Sequence, residues 1–285
     1  MPYTTLITAE QLLQIHPNPA QVTVFDCSFD LMNSASGESS FAQARIPGAV
    51  YADLNQTLSD KSGQGVNGGR HPLPSREKFA QWLGAAGLSN QMQAVVYDRQ
   101  GANYCGRLWW MLKWLGHDSV AVLDGGWQAW LAAGGASASG PSPTYPPATF
   151  TPKPSLWVLE TSESVASKLG RPSQTLIDAR ATPRYKGEVE PLDPVAGHIP
   201  GALNRPFGLN IGTDGKFKPA AQLKTEFEAL LAGRSPATVV HHCGSGVSAI
   251  PNVLAMQIAG LGTTGLYAGS WSEWCSDPTR PVAQG

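Results

Sequence analysis

Short apolar and β-branched runs alternate along the chain with stretches whose apolar residues recur at three- and four-residue spacing. Residues 22–27 (VTVFDC), 95–98 (VVYD), 175–179 (TLIDA) and 239–242 (VVHH) read as buried strands. Residues 76–87, 106–115, 223–231 and 247–261 read as helices with one buried face. In the last of these, Val247, Ile250, Val253, Leu254, Ile258 and Leu261 fall on one side. Alternation of this kind predicts α/β units around a mainly parallel sheet flanked by helices.

The pattern occurs twice. The strand ending in Asp26 has a counterpart ending in Asp178, and Arg45-Ile46-Pro47-Gly48-Ala49-Val50 is nearly repeated as His198-Ile199-Pro200-Gly201-Ala202-Leu203. Val95 and Val239 stand 144 residues apart, and so do Trp127 and Trp271. The strand, loop, helix, strand and turn between them therefore align without a gap, which is the mark of a tandem duplication. Between the copies, residues 132–154 carry six prolines and no apolar period, so an extended, semi-rigid linker is expected there. The predicted organisation is a first domain over 1–134, a linker over 135–154 and a second domain over 155–285. Trp109, Trp110, Trp114, Trp127 and Trp130 fall at helix or turn spacing and read as packing.

Composition narrows the function classes. A chain of 285 residues suits two domains, and 42% hydrophobic against 14% charged residues excludes disorder. Twenty Lys and Arg against 21 Asp and Glu give a net charge of −1, with no broad basic face for nucleic acid or anionic lipid. The densest apolar stretch, 108–115, is interrupted by Lys113 and is far shorter than the ~20 residues of a spanning helix. The N-terminal MPYTTLITAEQLLQ lacks a basic and an apolar leader region, and four cysteines are too few for a disulfide scaffold. A reducing cytoplasm is the expected setting, where a free thiol can act as a reagent.

One cysteine has an unusual setting. The strand 239–242 runs into His241-His242-Cys243-Gly244-Ser245-Gly246-Val247-Ser248-Ala249 and then into a helical pattern. Cys243 thus sits just past the C-terminal end of a strand, where open parallel sheets bind ligands. Gly244 and Gly246 let the backbone curl so that successive N–H groups face the sulfur. Such a nest favours a thiolate, and equally a terminal persulfide anion. A buried core thiol is the plain alternative, but it has no need of a glycine cradle. In the other copy the equivalent position is Arg99, which implies one working loop and one silent one. Cys27, Cys105 and Cys275 read as core or near-surface thiols. His241 and His242 with Cys243 and Cys275 fit no usual zinc spacing, and no metal or organic cofactor is expected.

At these residues the chain resembles the two-domain rhodanese-type sulfurtransferases over nearly its whole length. The His-Ile-Pro-Gly-Ala turn, the Gly-Gly-Trp and Gly-Ser-Trp-Ser-Glu-Trp segments and a cysteine confined to the second copy carry the likeness. The loop Cys243-Gly244-Ser245-Gly246-Val247-Ser248-Ala249 is similar to that of the 3-mercaptopyruvate branch. The thiosulfate branch typically has Arg and Lys where this chain has Gly244 and Ser245. A neutral loop suits a donor whose charge lies on a carboxylate reached by a more distant arginine, whereas thiosulfate, a compact dianion, favours cations in the loop.

The resemblance implies specific roles. Cys243 is the nucleophile, and the N–H groups of Gly244, Ser245, Gly246, Val247 and Ser248 hold the persulfide. Arg184 binds the donor carboxylate, and Ser245 acts with His71 and an aspartate, either Asp53 or Asp60. It also implies a second arginine some nine residues beyond Arg184, where this chain has the acidic stretch Glu190-Pro191-Leu192-Asp193; Arg205 is the candidate replacement. The implied acceptors are cyanide, small thiols or thioredoxin. Three alternatives stay open: a thiosulfate sulfurtransferase on the same fold, a cysteine phosphatase, and a non-catalytic sulfur-relay module. The phosphatase requires an arginine at the end of the loop, where Ala249 stands.

Overall fold

The computed structural model describes residues 2–16, 18 and 20–285. They form two compact units, the first comprising residues 2–16, 18, 20–60, 74–156 and 213–216, the second 61–73, 157–212 and 217–285. In the first unit, β1 (Leu6–Ile7), β2 (Val22–Asp26), β3 (Val50–Tyr51), β4 (Gln93–Tyr97) and β5 (Val120–Leu123) form a sheet in the order β1-β5-β4-β2-β3. The second repeats it with β6 (Val158–Glu160), β7 (Thr175–Asp178), β8 (Leu203–Asn204), β9 (Val239–His242) and β10 (Gly265–Tyr267), in the order β6-β10-β9-β7-β8. All the strand pairs are parallel.

Parallel sheets are covered on both faces, so their strands are apolar throughout. Strands β2, β7 and β9 are buried along their whole length, including Asp26, Asp178, His241 and His242, as buried strands were expected there. The helices Arg76–Ala85, Cys105–Trp114 and Ala220–Leu231 agree closely with their patterns. Trp109, Trp110 and Trp130 are among the largest fully buried side chains, and Trp114 and Trp127 are buried too. In each sheet the strand order reverses between the two central strands. Their C-terminal ends therefore open the crevice where such sheets bind ligands, and Asp178 and Cys243 stand there in the second unit.

Three elements differ from their sequence patterns or show none. The helix expected over 247–261 is Ile250–Ile258, with Pro251 in its first turn, where a missing N–H costs nothing. Residues 244–249 are consequently loop, not helix. Edge strands β1 and β6, two and three residues long, are too short to show a period.

The Pro-rich segment 135–154 is extended and strapped along the first unit. Ala138 bridges antiparallel to Arg45, whose guanidinium donates to the carbonyls of Gly140 at 2.8 Å and Pro141 at 2.5 Å. Phe150 of the same segment is buried. Residues 61–73, from the N-terminal half of the chain, belong instead to the second unit. Among the described residues no helix is long and apolar enough to cross a membrane.

Candidate active site

Strand β9 delivers Cys243 at its C-terminal end, 2% exposed. The turn after β10 pins the loop: the Cys243 N–H donates to Ser270 Oγ at 3.1 Å. The Cys243 carbonyl accepts from Trp271 N–H at 3.0 Å, and that of Gly244 from Ser272 N–H at 2.9 Å. Ser270 holds a left-handed conformation, φ +56°, at a local cost of roughly 1–2 kcal/mol. Gly246 has φ +73°, and a Cβ there would run into the carbonyl oxygen of Ala268. The second loop glycine is therefore required by backbone geometry as well as by contact.

Burial pushes the Cys27 and Cys105 thiols well above their ordinary range and raises Cys275 as well. All three lie away from the β9 loop in sequence. Burial pushes His241 down to about 3 and also lowers His242, so both rings are neutral near pH 7. Among the described residues no group of three or more His, Cys, Asp or Glu is disposed to hold a metal ion.

His71 Nδ1 and Ser245 Oγ are 2.8 Å apart, both residues buried. They meet because residues 66–73 fold as a loop of the second unit, closed on itself by Val66 N–H to Leu73 O at 2.8 Å. Gly68 N–H donates to Glu273 Oε1 at 2.7 Å, and Arg70 N–H to Ser272 Oγ at 3.1 Å. Gly69, at φ +87°, allows the close approach, since a Cβ there would lie 2.6 Å from Ser272 Oγ. Of the two candidate aspartates, Asp53 is taken up by its own turn, accepting from Asn55 N–H at 2.7 Å and Gln56 N–H at 2.9 Å. Asp60 is buried and pairs with Lys78 Nζ at 3.0 Å.

Arg184 stands on the short helix Thr182–Lys186 after β7. It belongs to an alternating chain of charges. Asp178 holds Arg180 at 2.7 Å; Arg180 reaches Glu190 at 3.3 Å; Glu190 holds Arg184 at 2.6 Å; Arg184 reaches Asp193 at 3.2 Å. Asp193 closes the chain by binding Arg70. Burial opposes the charge on Glu190, but hydrogen bonds and charge from Arg184, with the Leu192 and Asp193 N–H groups, hold its carboxyl below the ordinary value. The carboxylates of Glu190 and Asp193 are buried, whereas the side chains of Arg184 and Arg70 are 18% and 27% exposed. The acidic stretch thus orients arginines instead of supplying one.

Arg205 does not take the missing place. It is buried against the Phe227 ring and committed to Glu226 at 2.7 Å and Asn210 at 3.0 Å. The cation that reaches the loop alongside Arg184 is Arg70. A Cβ on Gly244 would lie 2.9 Å from Arg70 Nη2 and 3.5 Å from Arg184 Nη1. The paired glycines before Arg70 were the one trace of this in the sequence. The structural duties of Ser270, Ser272 and Glu273 were likewise hidden inside a segment recognisable as a repeat and a family motif but not by the role of each residue.

A buried cysteine in a pinned loop, a His–Ser pair and two partly open arginines form one constellation on a duplicated α/β scaffold. The model of the rhodanese-like domain matches residues 8–133 and again 161–277. The chain belongs to the rhodanese family of sulfurtransferases. A Pseudomonas aeruginosa relative named a probable 3-mercaptopyruvate sulfurtransferase is 46% identical over 281 residues, 98% of each chain. Bovine thiosulfate sulfurtransferase is 33% identical over 269 residues, 92% of this chain and 88% of that one. The structure of SseA from Escherichia coli, described as a 3-mercaptopyruvate sulfotransferase of the rhodanese fold, superposes with a TM-score of 0.79 at 28% identity, covering 95% of this chain and 100% of that one. The chain is an enzyme, a sulfurtransferase of the 3-mercaptopyruvate/thiosulfate type.

Proposed function

We propose that this sulfurtransferase takes its sulfur from 3-mercaptopyruvate and passes it on through a persulfide on Cys243. The observation that carries the reading is the 2.8 Å contact between His71 and Ser245. A mercaptopyruvate donor breaks a carbon–sulfur bond and leaves as an enolate, which needs a proton and a polarising group near its oxygen. Thiosulfate leaves as sulfite and needs neither. A serine hydroxyl backed by a buried imidazole, two residues from the nucleophile, suits the first chemistry.

In the first step Cys243 thiolate attacks the donor sulfur, the S–CH2 bond breaks and its electron pair departs on pyruvate enolate. The proton of the donor sulfur passes through the Ser245–His71 pair to the enolate carbon, so pyruvate leaves and Cys243 carries a persulfide anion. Arg184 engages the donor carboxylate, and the N–H groups of residues 244–248 stabilise the persulfide anion. In the second step an acceptor (cyanide, a small thiol or thioredoxin) attacks the outer sulfur and Cys243 leaves as thiolate. No cofactor takes part, and the cytoplasm is the proposed compartment.

The second reading, thiosulfate as donor, draws on the Arg70 guanidinium beside Gly244. Turnover of the two donors, each with cyanide as acceptor, separates the readings. A higher kcat/KM for mercaptopyruvate is expected, and a clear preference for thiosulfate overturns the donor assignment. Mass spectrometry after donor treatment should show one sulfur atom gained on Cys243 and none on the Cys243→Ser protein.

A further inference from the structure

We propose that Arg70 is a donor-binding residue, gripping the anionic end of the sulfur donor together with Arg184 over Gly244. The inference rests on the sulfurtransferase reading, but on no particular donor. Asp193 takes Nη1 of Arg70 on one oxygen and Nη2 of Arg184 on the other. Glu190 takes Nε and Nη2 of Arg184. Toward Gly244 Arg70 turns Nη2, the end Asp193 does not use, and Arg184 turns both amino groups, of which Nη1 is bound by neither carboxylate.

Two guanidinium groups repel unless an anion lies between them, and here a buried carboxylate bridges them from behind. Their open side faces the residue next to the nucleophile. Pre-organised, partly exposed and held by buried acids, such a pair matches a planar carboxylate or a compact oxyanion. Arg70 is further fixed through its own backbone, whose N–H is bound by Ser272 of the turn that pins Cys243. Gly244 keeps the space open, because a side chain there would press on Arg70 Nη2.

Two alkylating agents of similar size test this without reference to the natural donor. Iodoacetate carries a carboxylate and iodoacetamide does not, so the ratio of their rates at Cys243 reports attraction of an anion. Arg70→Ala should lower the iodoacetate-to-iodoacetamide ratio about tenfold, with a smaller fall in the iodoacetamide rate than in the iodoacetate rate, and Arg70→Lys should restore part of it. The same variant should raise KM for the donor the wild-type enzyme prefers, with a smaller change in kcat. An unchanged ratio, or an equal fall in both rates, overturns the proposal. If the ratio falls while the wild type prefers thiosulfate, the anion grip stands and only the mercaptopyruvate assignment fails.

Discussion

Arg99 Nη1 donates to Asp26 Oδ2 at 3.0 Å, in the first unit, at the position that Cys243 occupies in the second. The guanidinium also reaches Ser28 Oγ at 2.6 Å and lies over the Trp127 ring. The loop behind it is filled from within: the Asp98 carboxylate accepts the N–H groups of Gln100, Ala102, Tyr104 and Cys105 at 2.8–3.0 Å. Shifted by 144 residues, these are Gly244, Gly246, Ser248 and Ala249. Ala102 also shares a left-handed φ with Gly246, +65° against +73°. The first copy thus binds an anion in a related cradle, but supplies that anion itself.

Placing a thiol in the first copy should accordingly not create a second site. Arg99→Cys, made together with Cys243→Ser, is expected to gain no sulfur from mercaptopyruvate or thiosulfate by mass spectrometry. Removing the guanidinium strands the buried Asp26 carboxylate, so denaturant unfolding should show a loss of ~3 kcal/mol or more. Sulfur on the introduced cysteine is the result that contradicts this.

Gly244→Ala separates space from backbone conformation. Gly244 has no left-handed φ, and the atom an added methyl meets is the end of a flexible side chain. Stability should therefore change by under about 0.5 kcal/mol, as for an ordinary tolerated substitution. Donor KM should rise several-fold as Arg70 is displaced. Gly246→Ala contrasts with it: an unfavourable φ and collision with the Ala268 carbonyl predict a loss of ~1–3 kcal/mol and a distorted loop. Thermal melts of the two proteins decide, and equal destabilisation would refute the distinction.

His71→Ala and Ser245→Ala should each lower kcat for mercaptopyruvate about 10²-fold, the range for a lost acid–base group. With thiosulfate the same variants should stay within a few-fold of wild type, because sulfite departs without a proton. Parallel losses with both donors would assign the 2.8 Å contact to holding residues 66–73 in place instead.

The repeat made the sheets legible, since a gapless offset across Val95–Trp127 and Val239–Trp271 forces the same strand–loop–helix–strand order twice. Cys243 was legible because its glycines and its place after an apolar strand are local signals. Arg70 was not, because its ion pair with Asp193 joins residues 123 positions apart, and each lies in a loop without a period. The same holds for Glu190 and Asp193, whose acidity suggested a missing cation until their burial beneath Arg184 gave the opposite meaning. The start of the helix at Ile250 was blurred because Val247 continues its apolar period while belonging to the loop.

Buried neutral histidines set the expected pH dependence of folding. Burial pushes His241 down to about 3 and His117 to about 4, against an ordinary value near 6.5. Between those values and 6.5 the unfolded chain binds protons that the folded chain refuses. Stability must then fall as pH drops below about 6.5, by up to about 1.4 kcal/mol per pH unit for each such ring, and the contribution of these rings is constant above neutrality. Glu190 acts in the same direction at lower pH, since its depressed pKa stabilises the fold above the ordinary carboxylate range and that contribution disappears as the group protonates. Urea unfolding at pH 7.5, 6 and 5 should show the decline, and His241→Phe should reduce its slope, even if the substitution lowers absolute stability. An unchanged slope in that variant would mean that the ring takes up its proton in the folded state.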